Sequence, residues 1–447
     1  MLMCLYPRMH DYRRDLRVLR DRRFALLFAA RAVSVLGTAF APVALAFGVL
    51  GLPGATATTL SVVLASEAIP TVVFMLAGGV LADRFPRYRV MMVGELLSMA
   101  AYLAIAVMLL TGWAPLLAMS AAASLAGTAV ALLWPALTGI VPEVVPDEHL
   151  QAANGLLQLG TNGSRIAGFA LGGATVVLVG GGYALVVSAA LFAVSALLIA
   201  SLRLPPARPK DHAPRHTAFA DLRDGWREFV ARQWLWVIVV QFSFMVAALQ
   251  AAHGVLGPVV AKEHLGGAAA WSAVLVGEAV GTIGGVVIAI RMRPRRPMLT
   301  ATLLTFPAIS PYVLLGLGAP LWTIVLGGAV MGACFDIFLV IWQTTLQREI
   351  PAEALSRVSA YDALGSFMLG PIGLLLAGPA AAAFGARPTL LACAGVMTAA
   401  TLAALLSPSV RQMRAPTGQR PAGEDLDTSV SIGHDGLAPV TAAGESR

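Results

Sequence analysis

The chain has 447 residues, 58% of them hydrophobic and 12% charged, with a mean hydropathy of +0.78. A soluble domain carries about a quarter charged residues, so lipid rather than water must solvate most of this chain. The formal charge of +7 is almost all arginine, and no polar stretch is long enough to hold a nucleic-acid module, which excludes nucleic acid as a partner.

Residues 1–24 form an arginine-rich arm with Arg8, Arg13, Arg14, Arg17, Arg20, Arg22 and Arg23. The first apolar run, 25–50, exceeds the roughly 7–15 residues of a signal-peptide core and is expected to stay as an uncleaved helix. Eleven more runs follow, at 58–82, 89–111, 114–141, 153–179, 182–203, 233–260, 268–290, 298–318, 320–346, 358–384 and 387–407. Each is close to the ~20 residues that cross a bilayer as a helix. They are continuous rather than alternating, so a barrel is excluded. The expected fold is an all-α integral membrane protein of twelve transmembrane helices.

Arginines cluster in the arm, at Arg84, Arg87 and Arg89, in the middle loop, and at Arg291, Arg293, Arg295 and Arg296. The intervening turns at 51–57, 111–113 and 180–182 are uncharged. The positive-inside rule then puts both termini in the cytoplasm of a multi-pass cell-membrane protein. The middle loop, 204–232, separates a bundle at 25–203 from one at 233–407. Within it Leu222, Trp226, Phe229 and Val230 share a face of a short helix, which is expected to lie at the membrane interface. Residues 408–447 have the composition of a disordered cytoplasmic tail.

The two bundles repeat. Pro146, Glu148 and Leu150 match Pro351, Glu353 and Leu355, 205 positions on. Pro86-Arg87 matches Pro294-Arg295 at 208, and Ser164-x-x-x-Gly168 matches Ser366-x-x-x-Gly370 at 202. Six helices separate the copies, so they run in the same direction, related by an axis along the membrane normal.

Ionisable side chains inside the runs are candidates for function, because each costs on the order of 2.5–3.5 kcal/mol at mid-bilayer. Glu67, Glu278 and Asp336 are candidate proton carriers, since a carboxylate whose solvation alternates can take and release a proton. Arg31, Glu95 and Arg165 lie near the arginine-rich side and are expected to form an internal ion-pair network. Cys4, Cys334 and Cys393 share no ligand spacing, so neither a disulfide framework nor a metal site is expected. No P-loop and no His-Glu-x-x-His is present, so neither direct ATP use nor enzymatic activity is expected, and no cofactor is called for.

Residues 79–89 resemble the loop signature G-x-L-A-D-R-x-G-R-[RK] of the major facilitator superfamily. Gly79, Leu81, Ala82, Asp83, Arg84 and Arg87 match, while Pro86 replaces a glycine and Tyr88 a base, with Arg89 next. Arg31, Ser34, Gly37 and 43–45, together with 222–227 and 355–359, are similar to the efflux branch that includes the enterobactin exporter. The resemblance implies two pseudo-symmetric six-helix bundles and export of a small amphipathic or hydrophobic molecule, a drug or secondary metabolite, by proton antiport. A siderophore exporter is the alternative; a membrane sensor or membrane-embedded enzyme is the alternative from another class. It also implies a monomer, a latch made by Asp83 and the loop arginines with Asp362 near the start of helix 11, and a cavity lined by helices 1, 4, 7 and 10. On those helices Phe40, Trp134, Phe244, Phe335 and Trp342 are the large rings, Gln241 and Gln250 the polar groups that can orient a ligand, and Arg31 the group that can meet an anion.

Overall fold

The computed structural model describes residues 19–146, 149–202 and 218–414. The expected arm up to residue 18, the linker residues 203–217, Asp147 and Glu148, and the tail from 415 lie outside them. All regular structure among the described residues is helical, and twelve helices are long and apolar enough to cross a membrane.

Local chemistry sets the helix ends. Span 1, Arg22–Leu50, starts where the Asp21 carboxylate accepts from the amides of Arg23 (2.7 Å) and Phe24 (3.1 Å), occupying donors that a helix start leaves unpaired. Span 2, Ala57–Arg84, opens on a capping box between Thr56 and Thr59. Spans 3 (Arg87–Thr111) and 4 (Leu116–Val144) each follow a proline, Pro86 and Pro115. Spans 5 (Leu150–Val179) and 6 (Gly181–Ala200) close the first bundle. A helix at Ala218–Ala231 precedes the second bundle. That bundle comprises span 7 (Gln233–His264), span 8 (Ala268–Arg291), span 9 (Pro297–Leu317), span 10 (Leu321–Glu349), span 11 (Ala352–Phe367 and Gly370–Phe384) and span 12 (Ala386–Leu406).

The repeat is visible in the turns. Gly112 and Gly318 end spans 3 and 9 with φ of 71° and 72°, and Gly180 and Gly385 end spans 5 and 11 with φ of 91° and 89°. A side chain with a Cβ is strained at such angles. Helix partners repeat too: spans 2 and 4, 3 and 6, 1 and 5, and 1 and 6 pack as do 8 and 10, 9 and 12, 7 and 11, and 7 and 12. Between bundles, span 2 meets span 11 and span 5 meets span 8, a pair of contacts that the pseudo-twofold exchanges.

An even number of spans puts Arg22 and Leu406 at one end of the molecule, called here the near end. At the far end one apolar cluster runs through both bundles, joining Val43–Leu50 and Leu60 to Val255–Ala261, Trp271 and Leu374. At the near end the bundles have separate clusters, one around Phe24, Met91 and Ile140, the other around Leu235, Phe338 and Val358. The near part of span 5 stands clear: a Cβ on Gly155 or Gly163 would meet nothing within 4 Å, and Leu159 is 71% exposed. The molecule is sealed at the far end and parted at the near end.

The helix at Ala218–Ala231 does not present its apolar face to lipid alone. Trp226 and Phe229 stack on each other at 5.7 Å, and both rest on Tyr361 of span 11. Gly225 lies against Arg357 and Tyr361, and Phe229 is buried while Val230 is exposed. Leu222 of that face lies outside the described side chains.

Candidate transport site and gates

The far seal is built twice from the same parts. In span 5, a Cβ on Gly173 would collide with Ser272 of span 8; in span 11, one on Gly378 would collide with Thr58 and Ser61 of span 2. Ser61 donates to the Leu374 carbonyl and accepts from the Gly378 amide at 3.2 Å. Lys262 of span 7 donates to the Leu50 carbonyl of span 1. Five residues toward the near end, Gly168 packs on Ala39 of span 1 and Gly373 on Ala247 of span 7. Small residues let backbones approach closely. These contacts make Gly373 the counterpart of Gly168, 205 positions apart, and correct the sequence match of Gly168 with Gly370. Gly370 has Val246 and Gln250 as its neighbours instead.

Two of the membrane acids are also a repeated pair. Glu67-Ala68-Ile69-Pro70-Thr71 and Glu278-Ala279-Val280-Gly281-Thr282 occupy the same register of spans 2 and 8. Thr71 donates to the Glu67 carbonyl at 2.9 Å and Thr282 to that of Glu278 at 3.1 Å. Gly127 of span 4 and Gly332 of span 10 pack directly on those same carbonyls. In the first bundle Glu67 accepts from the Tyr102 hydroxyl at 3.2 Å, and Tyr102 stacks on Phe192 at 5.6 Å. In the second, Tyr312 takes the place of Tyr102, but His253 of span 7 stands between tyrosine and acid. Its Nδ1 lies 3.0 Å from the Tyr312 hydroxyl and 3.8 Å from Glu278 Oε2.

Toward the near end, Glu95 of span 3 is 2% exposed, surrounded by Ser34, Ser195 and Arg31. Arg31 lies within electrostatic range of Arg165, and Arg165 within range of Asp336 on span 10. These electrostatic contacts reach from the first bundle to the second, while Asp336 Oδ2 itself has no hydrogen-bond partner. A cavity of about 180 Å³ opens beside Arg31, with Asn154, Gln158 and Thr161 of span 5 as its polar wall. A larger one of about 850 Å³, lined by Ala170, Ala174, Val276, Trp322 and other apolar residues of spans 5, 8 and 10, holds no charged group.

Several residues expected in a cavity are placed elsewhere. Phe40 is 3% exposed, pinned under Gly172 of span 5. Gln241 is 3% exposed and donates to Thr401 at 3.3 Å and Thr305 at 3.5 Å, between spans 9 and 12. Both side chains fill the interior of their own bundle because their faces turn away from the partner bundle. Trp342 is buried and donates to Asp362 Oδ2 at 3.0 Å, while Ser366 donates to Oδ1 at 3.3 Å. Asp362 is thereby tied to span 10 of its own bundle. Phe335 is partly buried edge-on to Phe242 at 6.5 Å, Phe244 is 49% exposed, and Gln250 lies by Gly370. Trp134, Gly79 and Asp83 lie on helices but outside the described side chains. Arg84 and Arg89 are exposed, Arg89 donating to Tyr88 at 3.0 Å, and Arg87 pairs with Glu143 of span 4 at 3.1 Å.

Sequence reasoning missed Tyr102, His253, Tyr312, Ser61 and Ser272. The repeated Glu-Ala-x-x-Thr was the available signal for the two tyrosines, since it fixes a register 211 positions apart that carries Tyr102 close to Tyr312.

Two parallel six-helix repeats, meeting through spans 2 and 11 and spans 5 and 8 and sealed at one end, define a polytopic membrane transporter. The profile of the major facilitator superfamily matches residues 24–374, and the chain belongs to that family. It is 29% identical over 414 residues to the multidrug efflux pump Tap of Mycobacterium tuberculosis, covering 88% of this chain and 95% of that one. It is 27% identical over 367 residues to the enterobactin exporter EntS of Escherichia coli, covering 79% and 86%. The fold is similar to the nucleoside transporter NupG, with a TM-score of 0.69 at 13% identity over 86% of this chain and 98% of that one. It is also similar to a bacterial homologue of the human lysosomal transporter Spinster, in an inward-facing and unoccupied conformation, with a TM-score of 0.65 at 15% identity over 88% and 99%.

Proposed function

We propose that the chain exports small amphipathic or hydrophobic molecules from the cytoplasm, working as a monomer and driven by protons moving inward. The observation that carries this reading is the end-to-end likeness to a multidrug efflux pump, joined to a fold sealed at one end and parted at the other. The arginines of 84–89 and 291–296 lie at the parted end, which the positive-inside rule makes cytoplasmic. Substrate enters there, the bundles rock, and the Gly173·Ser272 and Gly378·Ser61 contacts separate to release it outward. Glu67, Glu278 and Asp336 are the candidate proton carriers. Purified protein in proteoliposomes with an imposed pH gradient should accumulate ethidium, a hydrophobic cation. Absence of gradient-driven flux across a panel of hydrophobic cations, neutral drugs and catecholate anions would sink the reading.

A second reading, export of an anionic siderophore, is favoured by one feature. Arg31 faces a polar pocket at the parted end with Arg165 in electrostatic range. Catecholate transport lost in Arg31→Gln, with cation transport retained, would select it.

A further inference from the structure

We infer that His253, Glu278 and Tyr312 form the proton-carrying site of the transport cycle, and that Glu67 with Tyr102 is its fixed counterpart. The inference rests on the proton-antiport reading and names which acid serves it.

The two halves offer a comparison within one molecule. Register, threonine back-bond and glycine contact are the same around Glu67 and Glu278. The difference lies in what meets the carboxylate. Glu67 has the Tyr102 hydroxyl as a donor, and a buried acid with a permanent donor has little reason to change partner. Glu278 Oε2 is buried and has no hydrogen-bond partner. His253 Nδ1 lies 3.8 Å from it. A buried acceptor left unpaired is destabilising, and a proton on Nδ1 supplies the missing donor.

The tautomer logic follows from the partners. With the imidazole neutral and its proton on Nε2, the Tyr312 hydroxyl donates to Nδ1 and nothing donates to Glu278 Oε2. When a proton from far-side water binds Nδ1, that atom becomes a donor. Tyr312 must then rotate its hydroxyl away, and Glu278 Oε2 becomes the acceptor. Net charge in the cluster passes from −1 to zero, and the proton later leaves to near-side water, restoring the start. Imidazole is the side chain that changes charge near neutral pH. The titratable groups facing His253 are Glu278 of span 8, Tyr312 of span 9 and, beyond the tyrosine, Cys393 of span 12. Trp271 of span 8 meets the ring edge-on at 5.4 Å, and spans 2 and 11 present Leu64 and Leu374 at the adjacent Gly254.

The position of His253 links the proton to the gate. It lies in the π-helical turn Ala251–Leu256, a distortion often found at functional sites. The same turn leads into Val259, Val260 and Lys262, which close the far end against the first bundle. An ion pair between His253 and Glu278 draws the turn onto span 8 and holds the seal. Loss of the proton leaves Glu278 Oε2 again without a donor, and opening the far end hydrates it.

Two measurements test this on the full chain. In detergent, amide hydrogen exchange of residues 255–264, corrected for intrinsic rate, should show protection falling about tenfold between acidic and alkaline pH in wild type. His253→Gln and Glu278→Gln should be flat. A flat wild type, or an unchanged titration in His253→Gln, overturns the inference without reference to any substrate. In proteoliposomes, His253→Gln and Glu278→Gln should lose gradient-driven ethidium accumulation about tenfold or more while keeping ethidium exchange without a gradient. Wild type lacking gradient-driven transport overturns the antiport reading and the inference with it. Wild type and His253→Gln equally driven overturn the inference alone.

Discussion

Gly378→Val is expected to hold the far end open. The glycine sits where span 11 crosses span 2, and a Cβ there would fall on the Thr58 backbone and within 2.9 Å of Ser61 Cβ. Thr58 lies in the first turn of span 2, whose start is fixed by the capping box, so the backbone cannot yield locally. The helices must separate by the better part of an ångström. Overpacking of this kind costs about 1–3 kcal/mol. The clash exists only while the seal is closed, so the whole cost falls on one state and shifts the equilibrium about 5- to 150-fold toward the open far end. The assay is the rate at which a membrane-impermeant maleimide, added from the far side, labels a cysteine placed at Leu64, which lies beside Gly254 within the seal. Gly173→Val should act alike through Ser272. Gly395→Val, whose Cβ has nothing within 4 Å, is the control for a changed helix propensity. Labelling unchanged in both seal variants, in protein that is folded and monodisperse, would refute the reasoning.

Other expectations follow from the same geometry. Gln241→Leu removes two bonds but leaves Thr305 and Thr401 bonded to each other at 2.9 Å, so melting in detergent should fall by only about 1 kcal/mol and transport should persist; loss of substrate affinity would instead restore a ligand role. Trp342→Phe deletes the donor to Asp362 and should cost about 1–3 kcal/mol in thermal stability. Arg31→Gln removes a positive charge near the buried Glu95 and should lower thermal stability, a loss that Glu95→Gln in the same chain should largely recover. A double-mutant cycle by thermal unfolding measures it.

Span number, the two-bundle architecture and family were legible in the sequence because lipid leaves a coarse signature: run length and the lack of charge suffice. The repeat was legible at Pro146 and Pro351, where a turn allows few residue types. It was misread at Gly168, where span 11 offers Gly365, Gly370, Gly373 and Gly378 and periodicity cannot choose among them. Only the partner decides, since Ala39 and Ala247 are themselves counterparts. Gln241 and Phe40 were misplaced for a related reason: a helix hydrophobic all round does not announce which face meets the other bundle. A lone histidine on such a helix carries even less, so His253 stayed invisible.

What the repeat does teach, once its register is fixed, is where to look for function. Apart from the Glu67 and Glu278 pair, the elements described above as kept by both bundles serve packing: the glycine turns at 112 and 318, the glycines on the glutamate carbonyls, the glycine–serine seals. A pseudo-twofold molecule with identical halves could rock, but both halves would respond to a proton alike and neither would be singled out as the carrier. The places where the halves differ are therefore the places where direction can enter. Two such differences are on hand. Asp83 has no acid at either offset that matches these segments, Arg291 standing 208 positions on and Pro294 211 positions on, and His253 stands in span 7 against an apolar stretch around Ala44–Ala46 in span 1. One lies toward the near end and the other in the turn behind the far seal, so the two differences fall at opposite ends of the molecule.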